Sequence, residues 1–170
     1  DREARISHFV AVFSDISERK ASEERIRYLA QHDALTGLPN RFTLAVHLEH
    51  ALARAERANE KIGLMFIDLD NFKTVNDTLG HPIGDLLLCE VARRITSAVR
   101  KSDIVARIGG DEFVVVLESA HLPGDAGMVA QKILERMSEV VPVDGNDLHT
   151  TPSIGIAIYP DDGASSEDLM

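Results

Sequence analysis

A chain of 170 residues, 44% hydrophobic and 27% charged, is long enough for one globular domain with a sizeable core and a short extra segment. Its formal net charge of -10 repels a phosphate backbone, which excludes bulk nucleic-acid binding but not a small anionic ligand held by local donors or a metal ion. No apolar run reaches bilayer-spanning length, and a single cysteine, Cys89, excludes a disulfide framework. With no secretory leader in view, a reducing cytoplasm is the expected compartment. The first residue is Asp1 and not Met, so the chain reads as a segment of a longer protein.

The apolar run Phe9-Val10-Ala11-Val12-Phe13 within Ile6 to Ile16 predicts a strand. From Ser17 to about Gln31 the composition turns to Glu, Arg, Lys and Ala, which predicts a charged helix with Ser17 as a candidate N-cap. Its Ile26 and Leu29 form a thin stripe, and a linker is the simplest reading. Residues Asp33 to Arg41 form a breaker cluster in which Pro39 and Asn40 shape a loop and cap the next helix. Leu44, Leu48, Leu52 and Ala55 then recur at helical spacing to about Ala58. Ile62 to Asp70 reads as a short strand ending in acids.

Asp70 to Asp85 reads as a polar strand-to-helix loop. Leu87, Leu88, Val91, Ala92, Ile95 and Val99 make one face of the helix after it, with Cys89 expected as a buried core thiol. Next come hairpin strands, Ile104 to Ile108 and Glu112 to Glu118, around a Gly109-Gly110 turn whose central residues favour positive φ. Phe113 is expected in the core. A helix near Asp125 to Val140 and a strand from Thr151 to Tyr159, accommodating Pro152 near its start, complete the series. The fold class is therefore α/β, more narrowly α+β: a mostly antiparallel central sheet flanked by helices and carrying the hairpin.

Two acidic clusters fall at predicted strand ends, Asp68-Leu69-Asp70 and Asp111-Glu112. If those strands are neighbours, the carboxylates converge at one end of the sheet. Magnesium is typically held by one or two carboxylates, with water and substrate phosphate in the remaining positions. The pattern thus points to metal-dependent phosphoryl chemistry. Between the clusters, backbone N–H groups at a strand-to-helix turn can cradle phosphate, with Lys73 adding a point charge. Asn76 and Asp85 can read a purine edge, because an amide donates and accepts while a carboxylate accepts from N–H groups. The seven histidines show no metal-ligand spacing, and no zinc site is expected.

In order along the chain stand Asp33-x-Leu35-Thr36-Gly37-Leu38-Pro39-Asn40-Arg41, Asp68-x-Asp70-x-Phe72-Lys73-x-x-Asn76-Asp77, Gly80-His81-x-x-Gly84-Asp85, Arg107-x-Gly109-Gly110-Asp111-Glu112-Phe113 and Ser153-Ile154-Gly155-Ile156-Ala157. From about Ala30 onward this series resembles the GGDEF-domain diguanylate cyclases, which have a nucleotidyl cyclase, palm-like fold. The resemblance implies condensation of two GTP into cyclic di-GMP with release of pyrophosphate, in a homodimer with one GTP half-site per subunit. It implies that Asp68, the Leu69 carbonyl and Asp111 bind Mg2+, or Mn2+ in its place, with Glu112 as a second acidic contributor. Asn76 and Asp85 would recognise guanine, with His81 in the matching substrate-contact motif. Lys73 and the backbone around Phe72 would contact phosphates, and Asp111, or Glu112 beside it, would assist deprotonation of the 3′-hydroxyl. Arg100-Lys101-Ser102-Asp103 matches the Arg-x-x-Asp pattern of a product-binding inhibitory site for cyclic di-GMP, with Arg100 and Asp103 as its contacts.

The same resemblance divides the chain into residues 1–16, the end of a PAS-like sensor domain; 17–32, a signalling helix; and 33–170, a GGDEF domain ending before its last helix. In the family that helix carries a Lys and an Arg for the GTP phosphates, so the stretch ending at Met170 is expected to fall short of full activity. An upstream sensor domain and, as a further candidate, a downstream phosphodiesterase domain are the expected partners. The alternative is a non-catalytic GTP-binding regulatory module. A third reading, a dimerising relay without nucleotide, leaves the polar motifs unexplained.

Overall fold

The computed structural model describes residues 17–118 and 123–170. The strand expected around Phe9 to Phe13 lies outside the described residues. The first helix, α1 (Ser17–Gln31), has no buried residue, as its charged composition requires. In α2 (Arg41–Ala58), the Asn40 side chain accepts from the Thr43 N–H at 3.0 Å and so caps the first turn. Leu44, Leu48, Ala51 and Ala55 form its buried stripe, at the spacing read from the sequence.

The central sheet contains β1 (Ile62–Leu69), β2 (Ile104–Gly109), β3 (Glu112–Leu117) and β6 (Pro152–Tyr159) in the order β2-β3-β1-β6. Every pairing in it is antiparallel. Pro152 sits at the first residue of the edge strand β6, opposite Leu69, where a missing N–H is tolerated. A separate small hairpin joins β4 (Val141–Val143) and β5 (Asn146–Leu148).

Alternation along the strands produces two cores. Met65, Ile67, Phe113 and Val115 pack towards α4 (His81–Ala98) and α5 (Pro123–Met137), with Phe113 fully buried. Leu64, Val114 and Val116 pack on the opposite face against α2, joined by Leu169 of the short helix α6 (Ser166–Leu169). Burying each such aliphatic or aromatic side chain contributes roughly 1.5–3 kcal/mol before conformational entropy is counted.

Four local expectations change. The stretch read as a loop after Asp70 contains α3 (Phe72–Leu79), entered through Asn71 in the left-handed conformation at φ 60°. The turn of the main hairpin is Gly110–Asp111: Gly109 already pairs with Glu112, and the register slips between Arg107 and Gly109. An extra β2 residue is therefore accommodated as a bulge beside the turn. Cys89 is only half-buried, its Sγ 3.5 Å from the Leu35 carbonyl, because it lies at the margin of the buried α4 face. The third expected long helix ends at Met137, before the hairpin β4–β5.

Candidate active site

The antiparallel register places Asp68 directly opposite Glu112 on one side and opposite Ser153 on the other. Asp68 continues the side of β1 that carries Leu64 and Phe66 towards α2, and it is exposed near the end of the strand. A cleft of about 360 Å³ opens there, lined by Phe66, Asp68, Ile108, Glu112, Ser153 and Gly155 among others. Partial desolvation, then the carboxylates of Asp111, Glu112 and Asp70, push the Asp68 carboxyl above its ordinary value. Charges gathered so closely are a cost unless something positive sits among them.

Asp70 belongs to the same sequence cluster but has a different use. Thr151 Oγ1 and Ser153 Oγ donate to its two carboxylate oxygens at 2.7 and 2.8 Å, and its N–H donates to the Thr151 carbonyl at 2.8 Å. The two hydroxyl bonds hold its carboxyl below the ordinary value, and with the backbone bond they tie the end of β1 to the start of β6. Among the described residues no group of three or more His, Cys, Asp or Glu side chains is close enough to enclose a metal. A magnesium site of one or two carboxylates, a carbonyl and phosphate oxygens needs no such group, and the donors at Asp68, Leu69 and Asp111 are of the hard oxygen type it prefers.

The substrate residues named from the sequence sit on α3 and α4. Lys73 is exposed in the first turn of α3, whose N-terminus has no side-chain cap. The Phe72 side chain is buried, leaving only its backbone for a ligand. His81 opens α4 and is exposed, and Asp85 is exposed one turn later. Asn76, half-buried on α3, lies against Gly84 so closely that a Cβ there would overlap its Oδ1. Gly84 therefore brings Asn76 beside the start of α4, where Asp85 stands. None of Lys73, Asn76, His81 and Asp85 lines the cleft beside Asp68 and Glu112.

Arg100 and Asp103 lie beyond the far end of α4, before β2 begins. The Asp103 carboxylate accepts from the Arg100 N–H at 2.8 Å, closing a turn. Clefts of about 250 and 320 Å³ flank them, each including both residues in its wall.

Sequence reasoning assigned no role to Arg107 or Asp33. The Arg107 guanidinium binds both Asp33 carboxylate oxygens, at 2.8 and 2.9 Å, and the Gly110 carbonyl through Nε and Nη2, at 2.9 and 2.7 Å. Burial pushes the Asp33 carboxyl up, but hydrogen bonds from Thr36 and the Arg107 guanidinium outweigh it, leaving the group below its ordinary value. The signal was available: an Arg two residues before a Gly-Gly pair and an acid in an upstream loop are natural partners.

The family described as diguanylate cyclase, GGDEF domain, matches residues 30–170. Among curated proteins, the bifunctional diguanylate cyclase/cyclic di-GMP phosphodiesterase MucR of Pseudomonas aeruginosa is 47% identical over 151 residues, covering 89% of this chain and 22% of that protein. An uncharacterized signaling protein of Caulobacter vibrioides is 46% identical over 162 residues, 95% of this chain and 20% of its own length. The chain thus spans about a fifth of these relatives. A solved GGDEF domain of TpbB (YfiN) from Pseudomonas aeruginosa superposes with a TM-score of 0.80 at 42% identity, covering 81% of each chain. The coiled coil and GGDEF domain of DgcB from Caulobacter crescentus, solved with c-di-GMP, gives a TM-score of 0.79 at 27% identity over 91% of this chain and 82% of that one. Ordered motifs, an antiparallel sheet with the acids at its end, and a match over most of its length agree that the chain belongs to the diguanylate cyclase GGDEF-domain family.

Proposed function

We propose that the chain is the catalytic domain of a diguanylate cyclase, condensing two GTP into cyclic di-GMP and pyrophosphate as a homodimer with one GTP per subunit. The observation that carries the reading is the convergence of the Asp68, Asp111 and Glu112 charges at the end of β1, beside the uncapped N-terminus of α3. Asp68, the Leu69 carbonyl and Asp111 would hold magnesium or manganese, with Glu112 adjoining. When bound, the ion polarises phosphate oxygens and lowers the cost of a developing alkoxide. Asn76 and Asp85 bind the guanine edge, with His81 near it. Lys73 and the first N–H groups of α3 bind phosphate oxygens and offset the negative charge that grows on them. Asp111, or Glu112, takes the proton from the ribose 3′-hydroxyl. That oxygen bonds to the α-phosphorus of the partner's GTP while the bond to pyrophosphate breaks, and the second ester forms in the same way.

Arg100 and Asp103 form the product-inhibitory site, a guanidinium for phosphate and a carboxylate for guanine N–H groups. Residues 1–16 end a sensor domain, 17–32 are a signalling helix and 33–170 are the cyclase domain, in a cytoplasmic protein. The much greater length of the relatives, and the two activities in MucR's name, support additional domains such as a phosphodiesterase. No helix among the described residues is long and apolar enough to cross a membrane.

The test is incubation of the full-length protein, and not of residues 1–170 alone, with GTP and magnesium under dimerising conditions, with the product identified by mass spectrometry. Cyclic di-GMP that disappears in Asp111→Asn supports the reading. GTP binding without product assigns the chain to a regulatory role and overturns it.

A further inference from the structure

The tip of the β2–β3 hairpin has little to hold it. Gly109 and Gly110 have φ of 153° and 52°, and nothing lies within 4 Å of where a Cβ on either would stand. Without a Cβ, neither glycine packs against anything or restricts its own φ, so the tip depends on its hydrogen bonds for its position. Yet the acids that the cyclase reading depends on are the next two residues. The Gly110 carbonyl accepts two bonds from Arg107, whose side chain is only 12% exposed. The remaining arm of that guanidinium is held by Asp33, which Thr36 fixes through its N–H and Oγ1 at 2.8 and 2.7 Å.

The Asp33 loop is in turn built into the junction of α1 and α2. The Gln31 carbonyl at the end of α1 accepts from the Asn40 N–H at 3.0 Å and from Thr43 Oγ1 at 2.7 Å. Asn40 Nδ2 donates to the Ala30 carbonyl at 3.0 Å while its Oδ1 caps α2. Next to it, the Pro39 carbonyl accepts from the Arg107 N–H at 3.0 Å. Arg107 is thus bonded through both backbone and side chain to the loop that receives α1.

We propose that Arg107 is a positioning residue that ties the Gly110–Asp111 turn to Asp33, so that the way α1 enters the domain sets where the turn carries its acids. The proposal rests on the cyclase reading for its effect on rate, while the tether itself is read without activity. A guanidinium is required because its planar fork serves the carboxylate and the carbonyl together, which a lysine ammonium at the end of a flexible stem does not reproduce. A displacement of about 1 Å at a reacting group is enough to cost on the order of a hundredfold in rate.

The experiment uses Arg107→Lys, Arg107→Ala, Asp33→Asn and Asn40→Ala in the full protein. Amide hydrogen exchange across residues 109–112 is measured with thermal midpoint, kcat and KM for GTP. Exchange at the turn is expected to rise about tenfold or more in both Arg107 variants and in Asp33→Asn, as for a local opening released from its tether. Asn40→Ala should raise it too, although that residue does not touch the turn. The kcat is expected to fall by about tenfold or more with KM within about threefold, as for lost placement of a group acting in the transition state. Unchanged exchange at residues 109–112 in the Arg107 variants overturns the proposal, as does a loss confined to KM. If the unaltered protein makes no cyclic di-GMP, the cyclase reading fails and the exchange measurements alone decide the tether.

Discussion

Asp68 on β1 and Glu112 on β3 face each other across the antiparallel ladder, two acids in a position where opposed like charges destabilise a sheet. Desolvation and neighbouring carboxylates place the Asp68 carboxyl above its ordinary value. Its ionised form therefore costs stability above that raised value, and the cost disappears as pH falls through it. Asp68→Asn should raise the thermal midpoint of metal-free protein at neutral pH, by the equivalent of at most about 1 kcal/mol for one opposed pair. Calorimetry against pH should show the two proteins converging on acidification. Magnesium with GTP should raise the midpoint of the unaltered protein and have little effect on the variant.

Gly84 is where guanine recognition can be tested without removing a polar group. A methyl at this position would collide with Asn76 Oδ1, the end of a side chain that can swing aside, and with the Phe72 ring at 3.3 Å. Gly84→Ala should fold with a loss of about 1–3 kcal/mol from overpacking. Displacement of Asn76 should raise KM for GTP by about tenfold, the worth of one misplaced hydrogen bond. Steady-state kinetics beside a denaturation curve check both numbers, and an unchanged KM would remove Asn76 from the base-binding set.

Arg94 supplies a structural counterpart far from the acids. It is 6% exposed, pairs with Glu90 at 2.9 Å, and donates to the Arg136, Glu139 and Val140 carbonyls at 2.9, 2.6 and 2.8 Å. The last turn of α5 and the residues after it thereby find donors that the helix itself lacks. Arg94→Leu leaves several of these carbonyls unpaired and should destabilise by roughly 3 kcal/mol. Hydrogen bonding from Arg93, opposed by burial and aided by Arg94, holds the Glu90 carboxyl down to about 2. Its contribution is complete above the ordinary Glu value and is lost as pH falls towards 2. Glu90→Gln should therefore lower stability at neutral pH and flatten its decline between about pH 5 and pH 2.

The inhibitory reading of Arg100 and Asp103 makes a separable prediction, because α4 lies between them and the proposed substrate residues His81 and Asp85 at its other end. Arg100→Ala should abolish inhibition by cyclic di-GMP while leaving the initial rate within about twofold, as for an exposed surface substitution. Product-inhibition curves decide this, and undiminished inhibition would return Arg100 to the role of a helix-end cation.

The repeating elements were legible in the sequence because each has a period. Leu44, Leu48 and Ala55 mark α2, the Val114-Val115-Val116 run marks a strand buried on both faces, and Asn40 marks the cap between α1 and α2. The meeting of Asp68 with Asp111 and Glu112 followed once two strands ending in acids were taken as neighbours. What escaped depended on chain reversals with little apolar content. Helix α3 holds only eight residues with one buried, Phe72, and begins at a left-handed Asn that reads as a loop residue. The hairpin β4–β5 has strands of three residues, too short for alternation to register. The Arg107–Asp33 pair joins positions 74 residues apart, a separation at which single-sequence periodicity carries no information.

The hydroxyl bonds from Thr151 and Ser153 to Asp70 give this protein a built-in control. Two aspartates stand at the end of one strand; partial desolvation and then neighbouring carboxylates shift Asp68 upward, while hydrogen bonds from Thr151 and Ser153 shift Asp70 downward. In a titration followed by carboxyl carbon NMR, Asp68 should protonate first and Asp70 after it, reversing the equality that two like residues would have in an unfolded chain. Magnesium should move the first resonance and leave the second in place. A single spectrum would then report both the ion and the integrity of the strand beneath it.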